Sequence, residues 1–164
     1  MTKIALAADH AGYEEKEKIK STLDELGIQY DDFGTVSTES VDYPDYAKRV
    51  AEGVSHGDYD KGVLVCGSGT GMAIAANKVP GVRAAVAWSE EIARLAREHN
   101  DANVLSLPAR FIPPDEVSKI VKAFFGAHFD GGRHQRRVDK ITAIEKEEAA
   151  AANDPTAAHV SDLS

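Results

Sequence analysis

The chain has 164 residues, 43% hydrophobic and 28% charged, the balance of an ordinary soluble globular protein with a full core. A formal net charge of -8 argues against a nucleic-acid binder, and no apolar run approaches the roughly 20 residues that cross a bilayer. One cysteine excludes an internal disulfide and a cysteine-built zinc site; with a start at Met1-Thr2-Lys3 that leads straight into a strand-like run, it predicts a reducing, cytoplasmic setting.

In chain order, apolar runs at residues 4–8, 28–33, 62–66, 83–88 and 104–107 predict five strands. Between the first two, Ile19, Leu23 and Leu26 share a helical face and Gly27 supplies the stop. Tyr46, Val50 and Val54, four apart, predict a second amphipathic helix. Ser89 is an N-cap with Glu90 and Glu91 in the first turn, and Pro113-Pro114 opens a helix whose core face carries Val117, Ile120, Val121, Phe124 and Phe125. After Gly131-Gly132, the residues Val138, Ile141 and Ile144 predict a last helix that Asn153-Asp154-Pro155 ends; residues 146–164 are expected to form a flexible tail. Strands alternating with helices predict an α/β protein, a three-layer α/β/α sandwich on a five-stranded parallel sheet of the doubly wound, Rossmann-like kind.

Residues 63–78, VLVCGSGTGMAIAANK, carry the most chemistry. A strand ends on the sole cysteine and turns through Gly67, Gly69 and Gly71 into a helix. Glycines let an anionic oxygen approach the backbone amides, and a helix start biases a thiol toward thiolate. Taken alone, the stretch fits a tight packing turn with an inert cysteine equally well. Ligands in parallel sheets gather beyond the strands' carboxyl ends, where Asp9-His10-Ala11-Gly12 and Asp42-Tyr43-Pro44 join the cysteine loop. That convergence favours a site. The six histidines show no HExxH or comparable spacing, so no metal is expected. The run RHQRR at 133–137 reads either as a small-anion site or as an exposed basic helix face.

DH after the first strand, DYP before the second helix, CGSGTG with AANK, then EHNDANVL and GGRHQRRV together resemble the type B ribose-5-phosphate isomerases, over residues 3–144. The broader family includes galactose-6-phosphate isomerase subunits and allose-6-phosphate isomerases. The resemblance implies a sugar-phosphate isomerase domain over residues 1–145 that interconverts D-ribose 5-phosphate and D-ribulose 5-phosphate without metal or cofactor. It also implies a homodimer or a tetramer of dimers. By the same resemblance Cys66 is the base, and its helix-start setting is expected to bring the thiol toward neutrality. Ser68 relays protons between O1 and O2, and residues 67–71 form the anion pocket with Gly67, Gly69 and Gly71, Thr70 counting as a loop residue there. His99, helped by Asp9, opens the sugar ring; Asn100 orients the sugar and Tyr43 lines its site. His10, Arg133 and Arg137 match phosphate ligands, and Arg110 matches another anion contact. Where some relatives carry a catalytic glutamate, this chain has Met72, which cannot take a proton.

His99 precedes the last strand, whereas Cys66 ends the third, so the two are expected at opposite edges of the sheet. Each site would then be completed by a second subunit. A six-carbon sugar phosphate stays open as substrate, as does a non-catalytic sugar-phosphate or nucleotide module; against the nucleotide reading, Gly67-x-Gly69-x-Gly71 does not meet G-x-G-x-x-G.

Overall fold

The computed structural model describes residues 2–156 and divides the chain into two compact units, Met1–Asp130 and Gly131–Ser164. The first unit is built on five parallel strands: β1 (Lys3–Ala8), β2 (Gln29–Asp32), β3 (Lys61–Cys66), β4 (Ala84–Val86) and β5 (Val104–Pro108). They lie in the order β2-β1-β3-β5-β4. Five helices connect or follow them: α1 (Tyr13–Glu25), α2 (Tyr43–Ser55), α3 (Thr70–Ala76), α4 (Glu90–Asn100) and α5 (Val117–Gly126). The second unit contains one long helix, α6 (Arg133–Ala152).

Side chains alternate across a strand, and here the alternation fills two cores. Ile4, Leu6, Val63, Val65, Leu105 and Leu107 pack on the face that also buries Ile19 and Leu23 of α1, Ala93 of α4, and Ile120 and Phe124 of α5. Ala5, Ala7, Leu64, Cys66 and Val104 face the other way, against Ala47 and Val50 of α2 and Met72 of α3. Helices on both faces explain why the central strands are apolar throughout instead of alternating with polar residues. Each Leu or Ile enclosed in this way contributes about 1.5–3 kcal/mol. A Cβ on Gly62 would meet Val50 Cγ1 at 2.4 Å, so the glycine lets α2 approach the sheet closely.

The three-layer α/β/α sandwich with a five-stranded parallel sheet is the architecture the alternating runs predict. Ser89 caps α4 by accepting from the Ile92 N–H at 3.2 Å. Asn77, in the AANK stretch, grips the start of β4 through both ends of its amide, donating to the Ala84 carbonyl at 3.0 Å and accepting from its N–H at 2.7 Å. One boundary differs from expectation. Pro113 and Pro114 form a turn, closed by the Glu116 N–H on the Pro113 carbonyl at 2.9 Å, and α5 starts only at Val117. The last helix, α6, runs through residues 146–152 to its cap at Asn153, where Asn153-Asp154-Pro155 is expected to end it, so the expected tail from residue 146 begins as helix. The last eight residues lie outside the described ones.

At the β1/β3 boundary the chain switches faces: α1 follows β1 onto one side and α3 follows β3 onto the other. A crevice opens at such a switch beyond the strand ends.

Candidate active site

The crevice is a cleft lined from four places: the loop after β1, the start of α2, the loop after β3, and the single 3-10 turn Ala109–Phe111 that follows β5. Asp9, His10, Tyr43, Cys66, Ser68 and Arg110 all face it. So do Gly67, Thr70 and Gly71. The sequence reading equipped three loops; β5 supplies a further one.

Cys66 closes β3 opposite Pro108 of β5, and the residue is 4% exposed. Its Sγ accepts the Gly69 N–H at 3.1 Å. Gly69 has a φ of +74°, a left-handed conformation natural to glycine, and a Cβ there would meet the Pro108 nitrogen at 3.1 Å. Ser68 is exposed, and its Oγ accepts the Thr70 N–H at 3.3 Å.

Burial pushes the Cys66 thiol above its ordinary value, and the Asp9 charge pushes the same way. Backbone N–H groups of Met72, Gly69 and Ser68 pull it down without overcoming burial. The expectation that the helix start brings this thiol toward neutrality is therefore corrected. Desolvation disfavours an anion, and here it outweighs the hydrogen bonds that favour one.

Asp9 is buried at the end of β1. Its backbone N–H donates to the Val65 carbonyl at 3.1 Å, and its Oδ1 accepts the Gly12 N–H at 3.0 Å. His10 Nδ1 accepts the Val41 N–H at 3.2 Å, which leaves the proton of a neutral imidazole on Nε2 as a donor. Arg110 is tied to the glycine loop twice. Its N–H donates to the Gly67 carbonyl at 3.1 Å, and its guanidinium lies against Gly67, where a Cβ would come within 3.1 Å of Nη1. The Tyr43 ring rests in the same manner on Gly71.

His99 and Asn100 are elsewhere. They form the last turn of α4, at the edge where β5 begins. Val104 registers with Gly62 and Pro108 with Cys66, four residues on, so that edge is about 13 Å of strand away from the thiol. The Asn100 carbonyl accepts from Arg83 Nε at 3.0 Å. Arg133 and Arg137 lie in the second unit, exposed and one turn apart on α6. Within the first unit the structure thus gathers Asp9, His10, Tyr43, Cys66, the 67–71 loop and Arg110, and does not bring His99 or Asn100 to them. Three contributors were not foreseen from the sequence. Ile74 and Phe111 add apolar walls, the latter 73% exposed, and Ser106 donates from inside β5 to the Gly69 carbonyl at 2.6 Å. Phe111 was findable as the neighbour of Arg110; nothing local distinguished the others. Among the described residues no helix is long and apolar enough to cross a membrane.

A switch-point cleft that joins a thiol, a carboxylate, an imidazole, a guanidinium and a glycine loop defines an α/β enzyme suited to proton transfer on a small anionic substrate. Comparison with known proteins narrows this. The family model for ribose/galactose isomerase matches residues 4–141, and the chain belongs to that family. Ribose-5-phosphate isomerase B of Escherichia coli is 47% identical over 146 residues, covering 89% of this chain and 98% of its own. The ribose-5-phosphate isomerase B structure from Clostridium thermocellum superposes with a TM-score of 0.88 at 49% identity, covering 90% of this chain and 99% of that one. The enzyme from Mycoplasma genitalium, solved with bound ribulose-5-phosphate, gives a TM-score of 0.85 at 47% identity over 89% of this chain and 97% of its own.

Proposed function

We infer that this chain is a ribose-5-phosphate isomerase that interconverts D-ribose 5-phosphate and D-ribulose 5-phosphate through an enediolate, with Cys66 as the base. The observation that carries the reading is near-full-length identity of 47% to a relative whose structure holds ribulose-5-phosphate. The cleft supplies matching chemistry. Cys66 as thiolate takes the proton from C2, and the C2–H electron pair forms the C1=C2 bond while negative charge moves to oxygen. The 67–71 loop stabilises that oxygen through the amides not held by Cys66 or Ser68, Ser68 passes the hydroxyl proton from O2 to O1, and the thiol returns its proton to C1. Sugar and product differ only in where hydrogen sits, so no oxidant is consumed.

Sugar-ring opening is assigned to His99 with Asp9, and sugar orientation to Asn100. Because Asp9 lies beside Cys66 and the His99 edge lies a strand length away, the site is taken to be shared within a homodimer. His10, Arg110, Arg133 and Arg137 are proposed as anion ligands, Arg133 and Arg137 presenting two guanidiniums one helical turn apart. Steady-state turnover of ribose 5-phosphate beside allose 6-phosphate, with Cys66→Ala as control, tests the reading. Faster turnover of the five-carbon sugar and loss of at least about a thousandfold in the control are expected. Equal rates for wild type and control would remove Cys66 from its role, and preference for the six-carbon sugar would move the substrate assignment.

A further inference from the structure

Ser106 is a hydroxyl in a strand of otherwise apolar side chains, VLSLP, and it is fully buried. An unpaired hydroxyl in such a place costs about 1–3 kcal/mol, so its partner matters. That partner is the carbonyl of Gly69, 37 residues away in sequence and 2.6 Å distant in space. The same carbonyl accepts the Ala73 N–H at 3.2 Å, the first hydrogen bond of α3. Gly69 is therefore held at both ends: its carbonyl by Ser106 and by the helix, its N–H on Cys66 Sγ at 3.1 Å. Its missing Cβ lets this residue sit directly on the β5 backbone, 3.1 Å from the Pro108 nitrogen by the position a Cβ would take.

We propose that Ser106 is a positioning residue for the isomerase reaction: by holding the carbonyl of the Gly69–Thr70 peptide it fixes the Gly69 Cα, from which the preceding Ser68–Gly69 peptide aims its N–H at the Cys66 sulfur. The inference rests on Cys66 being the base. A hydrogen bond to a thiolate favours the charged form, and its strength depends on alignment. Without the Ser106 hydroxyl the Gly69 carbonyl keeps only the Ala73 N–H, and the Ser68–Gly69 amide that donates to the sulfur is less firmly aligned. Other groups act on the same sulfur and stay in place, Asp9 at the end of β1 and the Ser68 and Met72 amides, while His10, Tyr43 and Arg110 line the same cleft.

The test uses the full-length chain carrying Ser106→Ala, Ser106→Thr or Ser106→Val. Thr and Val share a shape and differ in the hydroxyl, so they keep the comparison valid if the alanine variant folds poorly. Two readouts are followed: the pH midpoint of Cys66 alkylation by iodoacetamide without substrate, and the pH at which kcat/KM for ribose 5-phosphate rises. The expected result is a midpoint higher by about one pH unit in Ala and Val, which is tenfold less thiolate at a given pH, with Thr close to wild type. A purely structural role would lower Tm and leave both midpoints unmoved. Midpoints unchanged in the alanine variant, or equal in Thr and Val, overturn the proposal. Alkylation needs no turnover, so it reports on Ser106 even if the isomerase assignment fails.

Discussion

The Tyr43 ring lies so close over Gly71 that a Cβ on the glycine would sit 2.6 Å from the phenol carbon Cζ and 3.0 Å from its oxygen. Gly71 is in α3, where alanine would by itself favour the helix by about 1 kcal/mol. Gly71→Ala is therefore expected to leave Tm nearly unchanged while pushing Tyr43 off its seat and raising KM about tenfold. Combining it with Tyr43→Ala should cost little more than Tyr43→Ala alone, because both changes remove one arrangement. Full additivity in steady-state kinetics would show that Gly71→Ala does not act through the ring.

The β3–β5 register places the α4 end at the opposite edge of the sheet from Cys66. Mixing inactive Cys66→Ala and His99→Ala proteins through unfolding and refolding is expected to restore roughly a quarter of wild-type activity, since half of a random mixture is heterodimer and each heterodimer has one intact site. Verified heterodimers without activity would exclude shared sites.

Enclosure of the thiol has a pH signature. The folded Cys66 pKa is raised above the value of about 8.5 in an unfolded chain, so as pH climbs past that value the unfolded state releases its proton first and folding stability falls. Wild type should lose more Tm than Cys66→Ala between pH 8 and pH 10. Alkylation of the empty enzyme should have its midpoint above that of a free thiol; a midpoint below it would contradict the dominance of burial.

Lys16 is fully buried and donates to both Asp32 oxygens, at 2.8 and 2.7 Å, and to the Thr35 carbonyl at 2.7 Å. Burial pushes the Asp32 carboxyl up, but Lys16, Lys20 and the Gly34 N–H together hold it below its ordinary value. Its stabilising contribution is present above the unfolded pKa of about 3.9 and is lost as pH falls through the depressed folded value. Lys16→Met is expected to cost about 3 kcal/mol at pH 7 in urea denaturation, with a smaller gap from wild type at pH 3. A gap that widens in acid would reverse the sign assigned here.

Local signals carried the elements whose partners are near in sequence. Val50 and Val54 fall on the buried face of α2 because helical spacing dictates it, and Ser89 caps α4 through a contact three residues away. The cysteine–glycine loop was legible for the same reason, since strand, turn and helix are contiguous. Ser106 was not, because a lone serine between leucines gives no hint of a carbonyl 37 positions earlier. Nor was the direction of the thiol shift. The helix start and glycine amides are written in the local sequence, whereas the desolvation that wins comes from walls supplied by distant strands and helices. The placement of Arg110 against Gly67 likewise depends on the β3–β5 pairing, which alternation alone leaves undetermined.

A walled-in sulfur whose thiol is pushed up by burial has a consequence for survival under peroxide. Oxidants attack thiolates that they can reach, and sulfinic and sulfonic acids cannot take a proton from carbon or be readily repaired. With its single mercapto group 4% exposed and biased by burial toward the neutral form, the enzyme presents a poor target. Inactivation by dilute hydrogen peroxide should accordingly be slow near neutrality and quicken as alkalinity generates the anion.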